Sequence, residues 1–225
     1  MPEHVHVHTP HELEEVHSHV SGRERNLEIV AALLLAVTTI CIAWSGYQAA
    51  KWSGVQAREY TQASTDRAFA NRAQTQGSQA RLQDLLNFNR WLEASVEGNA
   101  PLAALYERRF RDEFRPAFEA WRAQGDPLVD DIPIATPLRM PEYQLASEAR
   151  ADELELEADE HFEAGKQSTE NADSYVFATV FFAVVLFFSG VSLRFEWWRL
   201  RVGMVAGATV FLVWGIIQVA SLPVH

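Results

Sequence analysis

The stretch IVAALLLAVTTICIAW, residues 29–44, decides the fold class because it is apolar over a length suited to a membrane span. Together with the small residues up to position 50 it supplies about 20 residues, enough for a helix to cross a bilayer. Two further stretches, 175–193 and 202–222, are equally long and contain no Asp, Glu, Lys, Arg or His. The sequence therefore predicts three transmembrane helices, and buried core helices of a soluble protein are the poorer explanation.

The basic residues predict the orientation of these spans. The link RFEWWRLR, residues 194–201, carries Arg194, Arg199 and Arg201, and short loops rich in Arg and Lys lie on the cytoplasmic side. The first apolar run follows a long polar tail, which favours a retained anchor over a cleaved signal peptide. We expect a multi-pass protein of the bacterial inner membrane, with a cytoplasmic amino terminus and residues 51–173 outside the cytoplasm.

Six segments follow from this reading of the chain. They are a His/Glu-rich tail (1–26), a first span (27–50), a helical extramembrane domain (51–173), a second span (174–193), a short basic loop (194–201) and a third span (202–222). Helix-forming composition continues from the first span to about residue 97, with a suggested break at Gly77. It resumes at residue 142 and runs into the second span. The predicted fold is all-α, with a long helical hairpin or bundle between the first two spans.

The distal part of this domain is predicted from its prolines and aromatic residues. The stretch EGNAP, residues 97–101, ends one helix and begins another, with proline at an early helical position. A single helix is then expected, with an apolar face of residues spaced by four: Leu102, Tyr106, Phe110, Phe114 and Phe118. Four prolines between residues 125 and 141 predict an irregular connection.

Aromatic and basic residues mark the predicted membrane boundaries. Amphipathic rings prefer the headgroup layer, where one end is apolar and the other is wet. The residues assigned to the interface are Trp44, Tyr47, Trp52, Trp197, Trp198, Arg194, Arg199 and Arg201.

A repeat crosses the end of the first span. The pattern W-S-G-x-Q-A occurs at residues 44–49 and again at 52–57, and it places Gly46, Ala50 and Gly54 on one helix face. Such small residues allow two helix backbones to approach closely. Packing within the chain is the favoured interpretation, and an assembly or gating seam is the alternative. Gly203 and Gly207 in the third span form a second, weaker candidate for helix packing.

The tail contains six of the eight histidines, mixed with glutamates. Imidazole with nearby carboxylate can bind zinc, nickel or copper, so we consider a zinc or nickel site formed by His4, His6, His8, His11, His17 and His19. A solvated tail that titrates near neutral pH is the favoured interpretation. The acidic stretch 148–163 is interpreted as a solvated helix face, because Ala158 occupies the position that a Glu-x-x-His metal motif would need before His161.

Several function classes find no support in the sequence. The net charge of −11 disfavours a nucleic-acid surface, and the single Cys41 excludes a thiolate metal cluster. None of the hydrolase, metalloprotease or nucleotide-binding motifs occurs, so we assign no catalytic or cofactor-binding residue and expect a non-enzyme. The span centres carry no ionisable side chain, which disfavours an ion-coupled pump.

The W-S-G-x-Q-A repeat and the RFEWWRLR loop, in this order of spans, resemble uncharacterised three-span bacterial membrane proteins that are classed only as domains of unknown function. The resemblance covers most of the chain and implies an architecture without an activity or ligand. The first span, outer helices and second span also look like the sensor portion of bacterial chemoreceptors, although no signalling coil follows the second span.

Two functions remain as hypotheses. The first is a homo-oligomeric structural or partner-binding component of the lipid bilayer, whose outer helices contact a protein partner. The alternative is a channel subunit or a metal-responsive transport accessory that uses the histidine-rich tail.

Overall fold

A computed structural model describes residues 22–125, 136–195 and 197–225, and this part of the chain is all-α with no strand. Five α-helices follow one another: α1 (Gly22–Val96), α2 (Ala100–Arg108), α3 (Arg115–Arg122), α4 (Ala146–Ser192) and α5 (Trp198–Ser221). A short 3₁₀ turn, Pro137–Arg139, precedes α4. The all-α prediction is confirmed.

Helix α1 is continuous over 75 residues, so the suggested break at Gly77 is wrong. The glycine has a packing reason instead: a β-carbon at this position would lie 2.9 Å from Cγ of Glu148 in the first turn of α4. The helix ends where the sequence predicts. Gly98 adopts a positive φ of 69°, and Asn99 caps α2 by accepting a hydrogen bond from the backbone N–H of Leu102 at 3.2 Å.

The single helix expected after residue 101 is instead two short helices, α2 and α3, joined by residues 109–114. Pro116 lies in the first turn of α3, where its missing N–H does no harm, whereas inside one continuous helix it would remove the hydrogen bond to the carbonyl four residues earlier. The aromatic side chains of the predicted face still converge, because Phe110, Phe114 and Phe118 all lie in one buried cluster.

Two compact units make up the chain. Among the described residues, the membrane unit contains residues 22–56 and Lys166–His225, and the outer unit is Ala57–Gly165. The predicted domain limits of 51 and 173 lie six residues before and eight residues after the limits of the outer unit. The basic loop is shorter than expected, because α5 begins at Trp198 and includes the last four residues assigned to the loop.

The membrane unit contains three helices that are long and apolar enough to cross a bilayer. Fewer than a third of the residues in the most apolar stretch of each helix are buried, so most apolar side chains face outward, as in a lipid environment. Its core mixes small and large apolar side chains: Ala31, Leu34, Ala178, Phe182, Val185, Val205, Ala208 and Leu212.

The outer unit has an aromatic core. Six buried rings belong to it: Phe88, Trp91, Phe110, Phe114, Phe118 and Trp121. Many of these rings meet edge to face, for example Trp91 with Phe118 at 4.8 Å between centroids, which is a favourable geometry for aromatic pairs. Helix α1 therefore contributes to an apolar cluster at its carboxyl end as well as to the span at its amino end.

Candidate functional site

The W-S-G-x-Q-A repeat lies on α1 at the end of the first span, and its two faces have different environments. Ser45, Gln48 and Ala49 are buried inside the membrane unit. Trp52, in the second copy of the repeat, is half-buried. The chain thus packs against Ser45, Gln48 and Ala49, and this is the face that the membrane unit uses internally.

The neighbouring face, which carries Gly46, Ala50 and Gly54, is exposed. A β-carbon added at Gly46 or Gly54 would have no other atom within 4 Å. Among the described residues, close packing against Gly46 and Gly54, which we favoured from the spacing, is therefore not found. The reason is the orientation of α1 about its axis: Ser45 and Ala49 face the inside of the unit, and the glycines face outward. We call Gly46, Ala50 and Gly54 the open α1 face.

The second small-residue pair also has open space around it. Gly203 is exposed and Gly207 is half-buried, and a β-carbon at either would have no atom within 4 Å. Both glycines line a groove whose other residues include Phe188 of α4 and Phe211 of α5. Gly215 is different, because a β-carbon there would lie 2.8 Å from Cε1 of Phe182. The close contact between α4 and α5 thus uses a glycine that the sequence did not single out.

The aromatic residues predicted at the membrane boundaries are largely on the surface. Trp44, Tyr47, Trp197 and Trp198 are exposed, as headgroup contact would require. Trp52 has a more specific contact: its indole N–H donates a hydrogen bond to the backbone oxygen of Pro223 at 3.0 Å.

The same oxygen of Pro223 also accepts a hydrogen bond from the hydroxyl of Tyr175 at 3.2 Å. Two residues further on, the backbone N–H of His225 donates to Oε1 of Gln48 at 3.3 Å. Residues of α1 and α4 therefore hold the segment after α5. Gln48 of the repeat therefore has a structural role within the chain.

The three arginines of the basic loop differ in their partners. Arg201 is mostly buried and forms an ion pair with Glu28 of α1 at 3.2 Å. Arg194 and Arg199 are exposed, and neither has an ion pair within the part of the chain that the structure describes. Two positive charges at this end of the unit are thus not neutralised by a described residue.

Hydroxyl groups in the spans mostly bond to their own helix. Thr38 donates to the carbonyl of Leu34 at 2.6 Å, and Ser192 donates to that of Ser189 at 2.7 Å. Such bonds satisfy a hydroxyl without a water-filled path. Among the described residues, the buried Oγ atoms of Ser45 and Ser189 and the Nε2 of Gln48 have no hydrogen-bond partner.

The outer unit contains a buried carboxylate that the sequence analysis missed. Asp84 of α1 is fully buried, and its Oδ2 accepts hydrogen bonds from Arg111 at 3.0 Å and from the Tyr143 hydroxyl at 2.9 Å. Arg111 also pairs with Glu113, whose Oε1 accepts the backbone N–H of Ala146 at 3.1 Å. This network links α1, the turn before α3 and the first residue of α4.

Burial raises the pKa of the Asp84 carboxyl, against the opposing effect of its bonds to Tyr143 and Arg111. The pKa of the Tyr143 hydroxyl is also raised, first by burial and then by its bond to Asp84, so this hydroxyl remains a donor at neutral pH. One carboxylate oxygen, Oδ1 of Asp84, has no partner among the described residues. The network has the features of a structural clamp: one carboxylate acceptor, two donors and a helix amino terminus.

A second polar cluster of the outer unit contains His161. Its Nδ1 lies 2.7 Å from the carboxylate of Glu59, and its Nε2 lies 3.9 Å from that of Asp66. The hydrogen bond to Glu59 raises the pKa of His161, with further contributions from the charges of Asp66 and Glu160. The acidic stretch of α4 is also paired with α1 arginines, through Arg67 with Asp159 and Arg81 with Glu148.

Exposed leucines form a patch on α1 in the outer unit. Leu82 and Leu86 are 56% and 52% exposed, and Leu85 beside them is 39% exposed. Residues three and four apart share one helix face, so the three form a contiguous apolar patch outside the apolar spans. We call it the leucine patch. The spacing of positions 82, 85 and 86 is a signal that the sequence already contains.

The predicted metal ligands of the tail, His4 to His19, lie outside the described residues. Within residues 22–125, 136–195 and 197–225, no group of three or more His, Cys, Asp or Glu side chains is arranged to hold a metal ion. Comparison with protein-family models, curated proteins and solved structures finds no match to this chain. What can be inferred of function therefore rests on these surfaces and clusters.

Proposed function

We propose that this protein is a homo-oligomeric component of the bacterial inner membrane, in which copies of the chain associate through the open α1 face. One observation carries the proposal. Three small residues at a spacing of four lie on α1 at the end of a span, and no other part of the described chain packs closely against its two glycines. In lipid, close backbone approach between small residues is a main source of helix association.

The internal packing of the unit supports this assignment. Ser45, Gln48 and Ala49 already serve the chain's own bundle, so the glycine face is not required for folding of one copy. A glycine within a helix costs about 1 kcal/mol relative to alanine, and in a single copy these two open glycines make no close contact that offsets this cost. A close contact with a second copy would offset it.

The leucine patch supports a further contact in the outer unit. Leu82, Leu85 and Leu86 lie outside the apolar spans, and an apolar cluster in such a position is typical of a protein–protein contact. We propose that this patch binds the outer unit of another copy. In this proposal the amino terminus is cytoplasmic and the outer unit extracytoplasmic, supported by the arginines of the loop before α5.

Disulfide crosslinking in native membranes tests the proposal. In a Cys41→Ser background, Ala50→Cys places one thiol on the open α1 face and is expected to give a crosslinked dimer. Val180→Cys, at an exposed position of α4, is the matched control and is expected to give little. Equal yields at both positions would mean random collision and would contradict association through α1.

Two glycine variants then test the contact itself. Gly46→Leu and Gly54→Leu meet open space in a single copy, so the fold is expected to persist while the Ala50→Cys crosslink falls. If the contact contributes on the order of 1.4 kcal/mol, its loss would make the association about tenfold weaker. Gly190→Leu is the control, because this α4 glycine is equally open. An unchanged oligomer in both α1 variants would refute the proposal.

The leucine patch has its own control. Leu82→Glu with Leu86→Glu is expected to weaken association, whereas Leu156→Glu, an exposed lone leucine on α4, is expected to leave it unchanged. Size-exclusion chromatography with light scattering on the full chain in detergent measures both. Weakening by Leu156→Glu to the same degree would indicate a general charge effect and not a specific surface.

A further inference from the structure

The groove between α4 and α5 lies at the end of the membrane unit that carries the basic loop. It has a volume of about 280 Å³. Phe188, Met204 and Phe211 contribute apolar side chains, while Gly203 and Gly207 leave space because neither has a side chain. The groove therefore offers an apolar slot on a surface whose surroundings, for a membrane helix, are lipid.

A positive charge lies at one end of this slot. Arg199, in the first turn of α5, lines the groove and has no ion pair within the described parts of the chain. The amino terminus of α5 adds to the positive potential, because the N-cap residue Trp197 provides no side-chain hydrogen bond and the first turn has no acidic residue. Unpaired backbone N–H groups at a helix amino terminus attract anions.

The loop arginines are not equivalent in this respect. Arg201 has Glu28 as its partner and is mostly buried, so its charge is already matched inside the unit. Arg199 is exposed beside the groove and its charge is not matched by a described residue. The available charge and the apolar slot therefore occur together, in the arrangement that an amphiphile with an anionic head would fit.

We propose that this groove binds an anionic phospholipid, with an acyl chain along Gly203 and Gly207 and the phosphate at Arg199 and the amino terminus of α5. An apolar slot alone would take the chain of any lipid and would not discriminate between headgroups. The arginine supplies the preference for negative charge, as basic pockets between membrane helices do. This assigns Gly203 and Gly207 to lipid contact and leaves association of copies to α1.

Native mass spectrometry of the full chain in detergent tests the site. The protein is mixed with phosphatidylglycerol or with phosphatidylcholine, and retained lipid is counted for each. The unmodified chain is expected to retain phosphatidylglycerol preferentially. Arg199→Gln is expected to reduce that preference about fivefold, the factor that corresponds to about 1 kcal/mol for one cation near a membrane surface. Gly203→Leu fills the slot and is expected to reduce retention of both lipids.

Two control variants separate the site from general effects. Lys51→Gln removes one positive charge elsewhere in the membrane unit, and Gly190→Leu enlarges an open glycine of α4. Both are expected to retain lipid as the unmodified chain does. Retention that Gly203→Leu leaves unchanged, or a loss equal to that of Arg199→Gln on Lys51→Gln, would overturn the proposal. A change of oligomeric state on Gly203→Leu without loss of lipid would also overturn it, and would show that another copy covers the groove.

Discussion

Removal of the Asp84 carboxylate is expected to open the outer unit locally. In Asp84→Ala, Arg111 and the Tyr143 hydroxyl both lose an acceptor that is fully buried. Breaking a buried ion pair from one side costs about 3–5 kcal/mol. Arg111 keeps Glu113 as a second partner and its side chain is 26% exposed, so the lower end of that range, about 3 kcal/mol, is expected.

Conservative changes divide this effect between the two donors. Asp84→Asn keeps one oxygen as an acceptor and is expected to cost about 1 kcal/mol. Tyr143→Phe removes one hydrogen bond to a charged acceptor and is expected to cost about 1.5 kcal/mol. Because the two side chains share one bond, the double variant Asp84→Ala with Tyr143→Phe should cost less than the sum of the single variants.

Hydrogen exchange measured by mass spectrometry on the full chain in detergent gives the free energy of local opening. Asp84→Ala is expected to accelerate exchange in α3 and in the first turns of α4 by about 150-fold, which corresponds to 3 kcal/mol. Exchange in α5 is the internal reference. Asp112→Ala is the matched control, because its carboxylate is fully exposed and pairs with Arg115 only at 3.5 Å. If Asp84→Ala accelerated exchange no more than Asp112→Ala, the clamp would be refuted.

The protonation of Asp84 adds a pH dependence with a defined sign. Its pKa is raised above the ordinary 3.8, so the folded outer unit binds this proton more tightly than the unfolded chain does. Stability contributed by the protonated group is present below pH 3.8 and is lost as pH rises through the raised folded pKa. This decrease of stability with rising pH should be absent in Asp84→Asn, and its persistence there would assign it to another carboxyl group.

Two further predictions concern the pairing of α1 with α4 in the outer unit. The pKa of His161 should exceed 6.5 in an NMR titration and should fall toward that value in Glu59→Gln. The pair therefore stabilises the fold below pH 6.5, and this stabilisation is lost as pH rises through the folded pKa. A pKa unchanged by Glu59→Gln would contradict the hydrogen bond. Gly165→Ala should destabilise the outer unit by about 1 kcal/mol in a urea titration, because the β-carbon would lie 2.7 Å from the ring of Tyr60. Alanine normally favours a helix over glycine, so a gain in stability would contradict the close contact.

The sequence predicted the helices well where a single strong pattern acts over many residues. The three long apolar helices could be located from the length and the lack of charge of their sequences. The helix end predicted from Gly98, Asn99 and Pro101 was correct to within a few residues. The helix after residue 101 was wrong because an apolar spacing of four continues through residues 109–114, where the backbone is not helical. Pro116 was the signal, because a proline inside a continuous helix removes a backbone hydrogen bond, and this signal disagreed with the periodicity.

The clamp could not be predicted from the sequence, because its members lie far apart along the chain. Asp84 and Tyr143 are separated by 59 residues, and each has an ordinary local context of polar and helix-forming neighbours. Their contact depends on how α1 and the segment before α4 pack together. Long-range polar contacts of this type require the tertiary structure, whereas the exposed leucine spacing at positions 82, 85 and 86 was available in the sequence.

Membrane helices present a particular difficulty for such inference, since both their packed and their lipid-facing sides are apolar. Hydropathy therefore identifies a span without identifying its packed face. The glycines indicate the packed face better than hydropathy does. Among those described in the membrane unit, Gly215 alone would clash on gaining a β-carbon, while Gly46, Gly54, Gly203 and Gly207 would not. Each open glycine weakens its helix without improving the bundle of one copy. Surfaces suited to close approach are thus concentrated outside the bundle, where only lipid or another protein can use them.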